Sequence, residues 1–236
     1  MSLISQYFFI FLALLFAAYY LLPSLQKYIL LAGSLGFYYM LSSFSGIRLI
    51  LLILYIWGVT YIGGIAISRS KNRSRTVYTA VSVILLIIPL ILFKYAYNLA
   101  VVFGSLFSLS ADFSVLEFAS IAGMSYYALS AIGYLIDVNW ENNPAALNPV
   151  DIGLFIFYFP QLISGPITRF NDMSGQFRRR HRLLAANVSY GIRRMIFGYF
   201  KLLIIAELFG RVVKGIYASP DDYSAMGLII GTLFYA

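Results

Sequence analysis

The sequence predicts an all-α, polytopic membrane helical bundle with one broken or re-entrant segment, and three observations carry that prediction. First, 61% of the 236 residues are hydrophobic and only 11% are charged, against about 45–50% and about 25% in soluble domains. A soluble fold of this size has too little interior to hide so much apolar surface. Second, Lys and Arg cluster in short loops between apolar runs. The net charge of +8 therefore reads as the positive-inside pattern, not as a nucleic-acid-binding surface, and no nucleic-acid partner is expected. Third, Phe155–Phe170 reads FIFYFPQLISGPITRF and sets Pro160, Gln161, Gly165, Pro166 and Arg169 in one apolar stretch. Each proline removes a backbone donor and crowds the preceding turn. In hydrocarbon the freed backbone groups need another partner or a water-filled cavity.

In chain order, the first span is 3–22, closed by Pro23. It is span-length, lacks an early basic region, and has no small-residue cleavage site after it, so it reads as a membrane helix and not as a removable signal. Lys27 lies in a short turn. A shorter apolar run, 28–41, has Gly33 and Gly36 as close-packing positions. The span 47–67 follows, closing at Gly63-Gly64. Arg69, Lys71, Arg73 and Arg75 then form the first strongly basic loop, which should be cytoplasmic. If 28–41 also crosses, three crossings precede this loop and the N-terminus lies outside. The span 77–93 contains Pro89, expected to kink it, and Lys94 follows. The run 97–109 is short and is expected along the membrane surface.

The run 115–138 carries Glu117 and Asp137 near its ends, with Gly123, Ser125, Ser130 and Gly133 allowing close helix approach. A polar, Pro-bounded loop leads to 152–168, which has no charge. Its prolines and glycine cut it to about a dozen continuous residues, the length class of re-entrant segments, with both ends expected on the cytoplasmic side. Arg178, Arg179, Arg180 and Arg182 form the second basic cluster. An interfacial amphipathic stretch and a span at 195–209, carrying Lys201 and Glu207, come next. Glu207 and Arg211 are spaced to pair on one helical face. The last apolar run, 223–236, is shorter than a span. The expectation is a truncated, partial chain forming a single transmembrane domain over 1–236.

The chemistry is sparse. With no cysteine and one histidine, disulfides, thiol nucleophiles and Cys- or His-rich metal sites are excluded, and no bound cofactor or metal is expected. His181, among arginines, reads as a general base or, more simply, as a polar residue of a basic loop. Arg178–Arg180 and Arg182 read as a headgroup and topology patch or as a landing site for an acidic partner such as an acyl carrier protein or the phosphates of coenzyme A. The tyrosine-rich run 126–134 reads as helix packing. The 20 tyrosines exceed what an inert bundle needs and predict polar handles inside it. Broken helices with polar contents also occur in transporters and lipid-handling proteins, and a non-catalytic scaffold is the third alternative.

Five stretches in order carry a resemblance. They are Leu31-Ala32-Gly33-Ser34 with Phe37-Tyr38-Tyr39; Phe93-Lys94-Tyr95; Gly123-Met124-Ser125-Tyr126 through Tyr134-Leu135-Ile136-Asp137-Val138; Phe159 to Ile167 with Arg169; and Gly198 through Lys201 to Ala206. Together they resemble the N-terminal half of the membrane-bound O-acyltransferase family, in its bacterial branch of alginate O-acetyltransferase and D-alanyl transfer proteins. Ala122, Met124 and Tyr126 depart from the family's usual Pro, Ile and Phe. The resemblance implies transfer of an acyl group, acetyl foremost, from a cytoplasmic thioester (acetyl-coenzyme A or an acyl carrier protein) to a hydroxyl on an exported polysaccharide or cell-envelope acceptor. A periplasmic acetyltransferase is the further implied partner, and the bacterial inner membrane the implied location. Asp137, Pro160, Gln161, Gly165, Pro166 and Arg169 become substrate-chamber candidates. The family's catalytic histidine is expected beyond Ala236, and His181 is not at its position.

Overall fold

A computed structural model describes residues 5–41, 46–106, 123–141, 144–161, 165 and 168–235, with side chains described for all of these but 41, 46–48, 93–106 and 221. The expectations for Glu117, Pro166 and the side chain of Lys94 lie outside the described residues. Every regular element among the described residues is helical. The chain divides into two compact units, 1–181 and 182–236.

In the first unit, α1 (Gln6–Leu21) starts at Ser5, whose hydroxyl accepts from the Phe8 N–H at 3.4 Å. It ends at Leu21, two residues before Pro23. Helix α2 (Gln26–Leu41) returns beside it. Phe8, Phe11, Phe37 and Phe159 stack edge-on or tilted with centroids 5.4–5.7 Å apart. Helix α3 (Gly46–Arg69) runs through Gly63-Gly64 instead of closing there. These glycines are contact positions. A Cβ on Gly63 would meet the Ser82 hydroxyl at 2.5 Å, and one on Gly64 would meet the Tyr134 ring at 2.9 Å.

Helix α4 (Asn72–Leu106) continues unbroken through Pro89 and past Lys94, joining two runs that the sequence separates. Pro89 has no N–H for the carbonyl of Leu85, four residues back. The Tyr55 hydroxyl of α3 donates to that carbonyl at 2.8 Å. The orphan is thus satisfied by a neighbouring helix, as an apolar setting requires. The stretches Leu49–Arg69 and Asn72–Leu92 are long and apolar enough to cross a membrane, while Gln6–Leu21 and Ala225–Tyr235 are apolar but shorter.

Helix α5 (Met124–Asn139) opens at Gly123, whose φ of 75° suits a residue without a side chain. Tyr127, Ala128, Ala131, Tyr134 and Leu135 are buried, so the tyrosine run packs helices. Its hydroxyls are nevertheless used: Tyr38 donates to Tyr127 at 2.8 Å, and the Ala146 N–H donates to Tyr134 at 2.9 Å. Arg75 closes the far end of α5, donating to the Val138 carbonyl and pairing with Glu141.

In the second unit, α8 (Ala185–Phe200), a π-helical turn (Lys201–Ile205) and α9 (Ala206–Ala218) follow one another directly, and α10 (Ala225–Tyr235) packs on α9. Phe209 stacks on Phe234 at 4.7 Å, and Gly231 lies against Ile216. Glu207 and Arg211 pair at 3.5 Å as their spacing predicts. Most apolar side chains of this unit, among them Phe197, Leu202, Leu203, Ile204 and Leu208, are exposed.

Candidate functional site

The site is built on the segment that the sequence marks as anomalous. Three hydrogen bonds fix the loop that leads into it. Ala146 donates to Tyr134, Tyr61 donates to the Leu147 carbonyl at 2.9 Å, and Trp57 donates to the Pro149 carbonyl at 2.8 Å. Asn148 then caps α6 (Pro149–Phe157), accepting from the Val150 N–H at 2.9 Å, with Pro149 preset for the first helical position. Gly153 is required, because a Cβ there would lie 2.5 Å from the Trp57 ring.

Helix α6 stops at Phe157, and a single 3-10 turn (Phe159–Gln161) carries Pro160. Tyr158 turns to an extended conformation, because in a continued helix Pro160 would lack the N–H for the Ile156 carbonyl and its ring would clash with it. The freed Phe159 N–H donates to the Ser34 hydroxyl at 3.2 Å, and that hydroxyl donates to the Leu30 carbonyl at 2.8 Å. The chain then folds back on Gln161. The Gly165 N–H donates to the Gln161 carbonyl at 3.2 Å, and a Cβ on Gly165 would lie 2.4 Å from the Gln161 Cα. The Gln161 side chain lies against Met173 and Thr168, at 3.3 Å from each.

Helix α7 (Phe170–Arg178) carries the chain back, with Phe170 buried between Tyr134 and Phe155. The two ends of this hairpin meet, since Arg178 Nε lies 3.0 Å from Oδ2 of Asp151 in the first turn of α6. Lys27 Nζ, from the start of α2, lies 3.5 Å from the other oxygen. The Asp151 side chain is 3% exposed, that of Lys27 24% and that of Arg178 57%. One buried carboxylate thus holds two cations, and its Oδ1 has the ion pair with Lys27 but no hydrogen bond.

Beside this node a cleft of about 360 Å³ opens between α1–α2 and α6–α7. Leu12, Leu15, Phe16, Leu30, Leu154, Phe159 and Phe177 form its apolar walls. Lys27, Tyr19, Tyr20, Tyr158, Gln176 and His181 supply its polar groups. His181 is held at three points. Its Nδ1 lies 2.8 Å from the Tyr19 hydroxyl, its carbonyl accepts from Gln26 Nε2 at 2.7 Å, and its N–H donates to Gln26 Oε1 at 2.9 Å. Gln26 is buried. His181 thus lies in the basic run and is also fixed on a cleft wall.

None of the described sequence-derived candidates lines this cleft. Asp137 is half-buried near the end of α5. Pro160 and Arg169 are exposed, and Arg169 directly precedes α7. Gln161 and Gly165 are half-buried and clamp the turn. Of the basic cluster, Arg178 pairs with Asp151, while Arg179, Arg180 and Arg182 are exposed. Sequence reasoning missed Asp151, Lys27, Gln26 and Tyr19. Only Asp151 gave a usable signal, as a lone carboxylate directly before the uncharged run.

The chain is similar to curated proteins along most of its length. A probable alginate O-acetylase of Azotobacter vinelandii is 31% identical over 224 residues, covering 92% of this chain and 44% of that protein. A probable alginate O-acetylase of Pseudomonas putida is 33% identical over 230 residues, covering 91% and 44%. A peptidoglycan O-acetyltransferase of Helicobacter pylori is 29% identical over 123 residues, covering 41% and 23%. The chain therefore spans less than half the length of these relatives. No protein-family model matches it, and no solved structure does. Aligned nearly end to end with proteins of this kind, the chain belongs to the membrane-bound O-acyltransferase family, in the branch of the alginate O-acetylases.

Proposed function

We propose that this chain is part of a membrane O-acyltransferase that moves an acyl group, acetyl foremost, from a cytoplasmic thioester to a hydroxyl of an exported polysaccharide or other cell-envelope acceptor. The observation that carries this reading is similarity over 91–92% of the chain to proteins named as alginate O-acetylases. In the reaction the acceptor oxygen attacks the thioester carbonyl. The C–O ester bond forms, the C–S bond breaks, and the hydroxyl proton passes to the departing thiolate. The donor is acetyl-coenzyme A or an acyl carrier protein, and a periplasmic acetyltransferase is the candidate receiving partner.

In this proposal the α6–α7 hairpin forms part of the chamber wall. Gln161 and Gly165 hold its turn, Pro160 breaks its helix, and Asp137 and Arg169 contribute polar groups. The chain sits in the bacterial inner membrane with several crossings and its N-terminus outside. The meeting of Asp151 with Arg178 supports an in-and-out path for the segment, because both ends of the hairpin share one ion pair. Deleting the gene and restoring it, with ester-linked acetate released from purified envelope polysaccharide by mild alkali as the readout, tests the function. Acetate should fall on deletion and recover on restoration. Unchanged acetate in the deletion strain overturns the proposal.

A further inference from the structure

The cleft between α1–α2 and α6–α7 has a charge imbalance that its own residues leave uncorrected. Lys27 and Arg178 converge on the single carboxylate of Asp151, so one positive charge remains on the cleft wall. Lys27 faces the cleft, and His181 stands beside it with Nδ1 engaged by Tyr19. Arg179 and Arg180, between Arg178 and His181 in the sequence, are exposed and lie outside the cleft lining. From this polar mouth the walls become apolar, running along Leu12, Leu15 and Leu30 down to Phe159.

An excess cation at the mouth and a hydrocarbon-lined interior match a molecule with an anionic head and an acyl tail. At about 30 Å³ per water-sized group, a volume of about 360 Å³ admits about a dozen such groups. That is one headgroup with the first part of one chain, and too little for both chains of a phospholipid. The second chain would lie outside, along the exposed apolar residues of α1 such as Leu14 and Leu21.

We propose that this cleft is a binding site for one anionic phospholipid, with the phosphate against Lys27 and the Tyr19–His181 pair and one acyl chain between α1 and α6. The proposal rests on the membrane placement above, and not on acyl transfer. The lipid holds the hairpin of α6 and α7 against the α1–α2 corner, so its role is to fix the hairpin rather than to react.

The test uses the intact protein in detergent, after alkaline extraction of membranes has shown that it is integral. That extraction separates failure of the membrane reading from failure of the lipid site. Phosphatidylglycerol and phosphatidylcholine with identical chains are titrated in, and thermal unfolding is followed. Phosphatidylglycerol should raise the Tm saturably and phosphatidylcholine should not. Lys27→Gln, which leaves the Arg178–Asp151 pair intact, should weaken the phosphatidylglycerol response about tenfold. Lys27→Arg should retain it, as should Lys71→Gln in the distant basic loop. Equal responses to the two lipids in the unsubstituted protein overturn the proposal, even if no variant accumulates. An unchanged response in Lys27→Gln, or an equal loss in Lys71→Gln, overturns it as well.

Discussion

Replacing Asp151 with alanine removes the one group that neutralises two cations from two different elements. Taking away one partner of a buried ion pair costs about 3–5 kcal/mol, because the partner's charge is left uncompensated. Here the cost divides unevenly. Arg178 is 57% exposed and can turn to solvent, where such pairs contribute about 0–1 kcal/mol. Lys27 is 24% exposed and keeps most of its penalty. The expected loss for Asp151→Ala is about 2–3 kcal/mol, or about 5–10 °C in Tm for a domain of this size. Asp151→Asn keeps the shape and an acceptor for Arg178 and should lose about half as much. Lys27→Gln should fall below that, and Arg178→Gln should cost least. The assay is thermal unfolding of the intact protein in detergent. Where unfolding is irreversible, half-life at fixed temperature replaces Tm. An Arg178→Gln variant as damaged as Asp151→Ala would refute the reasoning, since the exposed pair would then carry the load.

Four further outcomes follow from the same geometry. Tyr55→Phe strands the Leu85 carbonyl that Pro89 leaves without a donor, so it should cost about 1–3 kcal/mol, and Pro89→Ala in the same background should recover part of that. Ser34→Ala leaves the Phe159 N–H without its acceptor and should cost a similar amount, read as faster proteolysis between α6 and α7. Gly165→Ala meets the Gln161 backbone and should abolish acetate transfer at normal membrane abundance. Arg169→Ala should lower transfer with little change in stability, because that residue is exposed; full activity in both variants would remove this turn from the chamber.

The legible part of the fold was the part written in composition and length. The apolar runs marked where most helices lie, and Pro160 with Gly165 marked where a helix breaks. What stayed hidden were contacts between residues distant in sequence. Gly63-Gly64 reads as a stop signal along one chain, yet it works as a surface onto which Ser82 and Tyr134 close. Pro89 reads as a kink because nothing local shows that Tyr55, 30 residues away in sequence, takes over the orphaned carbonyl. Lys27 reads as an unremarkable turn cation until Asp151 and Arg178 are brought to it. The tyrosines gave a true but unspecific signal: buried hydroxyls had to find partners, and only the packing says that Tyr38 meets Tyr127 and that Tyr134 meets Ala146.

The shared carboxylate also constrains any membrane topology. Lys27 and Arg178 bind opposite oxygens of Asp151, so they occupy the same depth and the same side. On the proposed path, in which α1, α2 and α3 each cross, one crossing separates the N-terminus from Lys27 and two separate Lys27 from Arg69. On that path Lys27, the basic loop from Arg69 to Arg75, and the cluster beginning at Arg178 all face one compartment. Under the proposed topology the positive-inside preference would put that compartment in the cytoplasm and the N-terminus outside. The chain has no cysteine, so an introduced cysteine is the one thiol it contributes, and the unsubstituted protein serves as the labelling background. Ser70→Cys should resist an impermeant maleimide in intact cells and react after permeabilisation. Ready labelling of Ser70→Cys in intact cells would break the chain of inference at α2, whose 16 residues extend about 24 Å against a hydrocarbon core of about 30 Å. A helix that short crosses only where the bilayer thins or where its ends are held by polar side chains. At its start, Gln26 grips the His181 backbone and Lys27 grips Asp151. The same contacts that build the cleft would therefore also hold the ends of α2 in the proposed crossing.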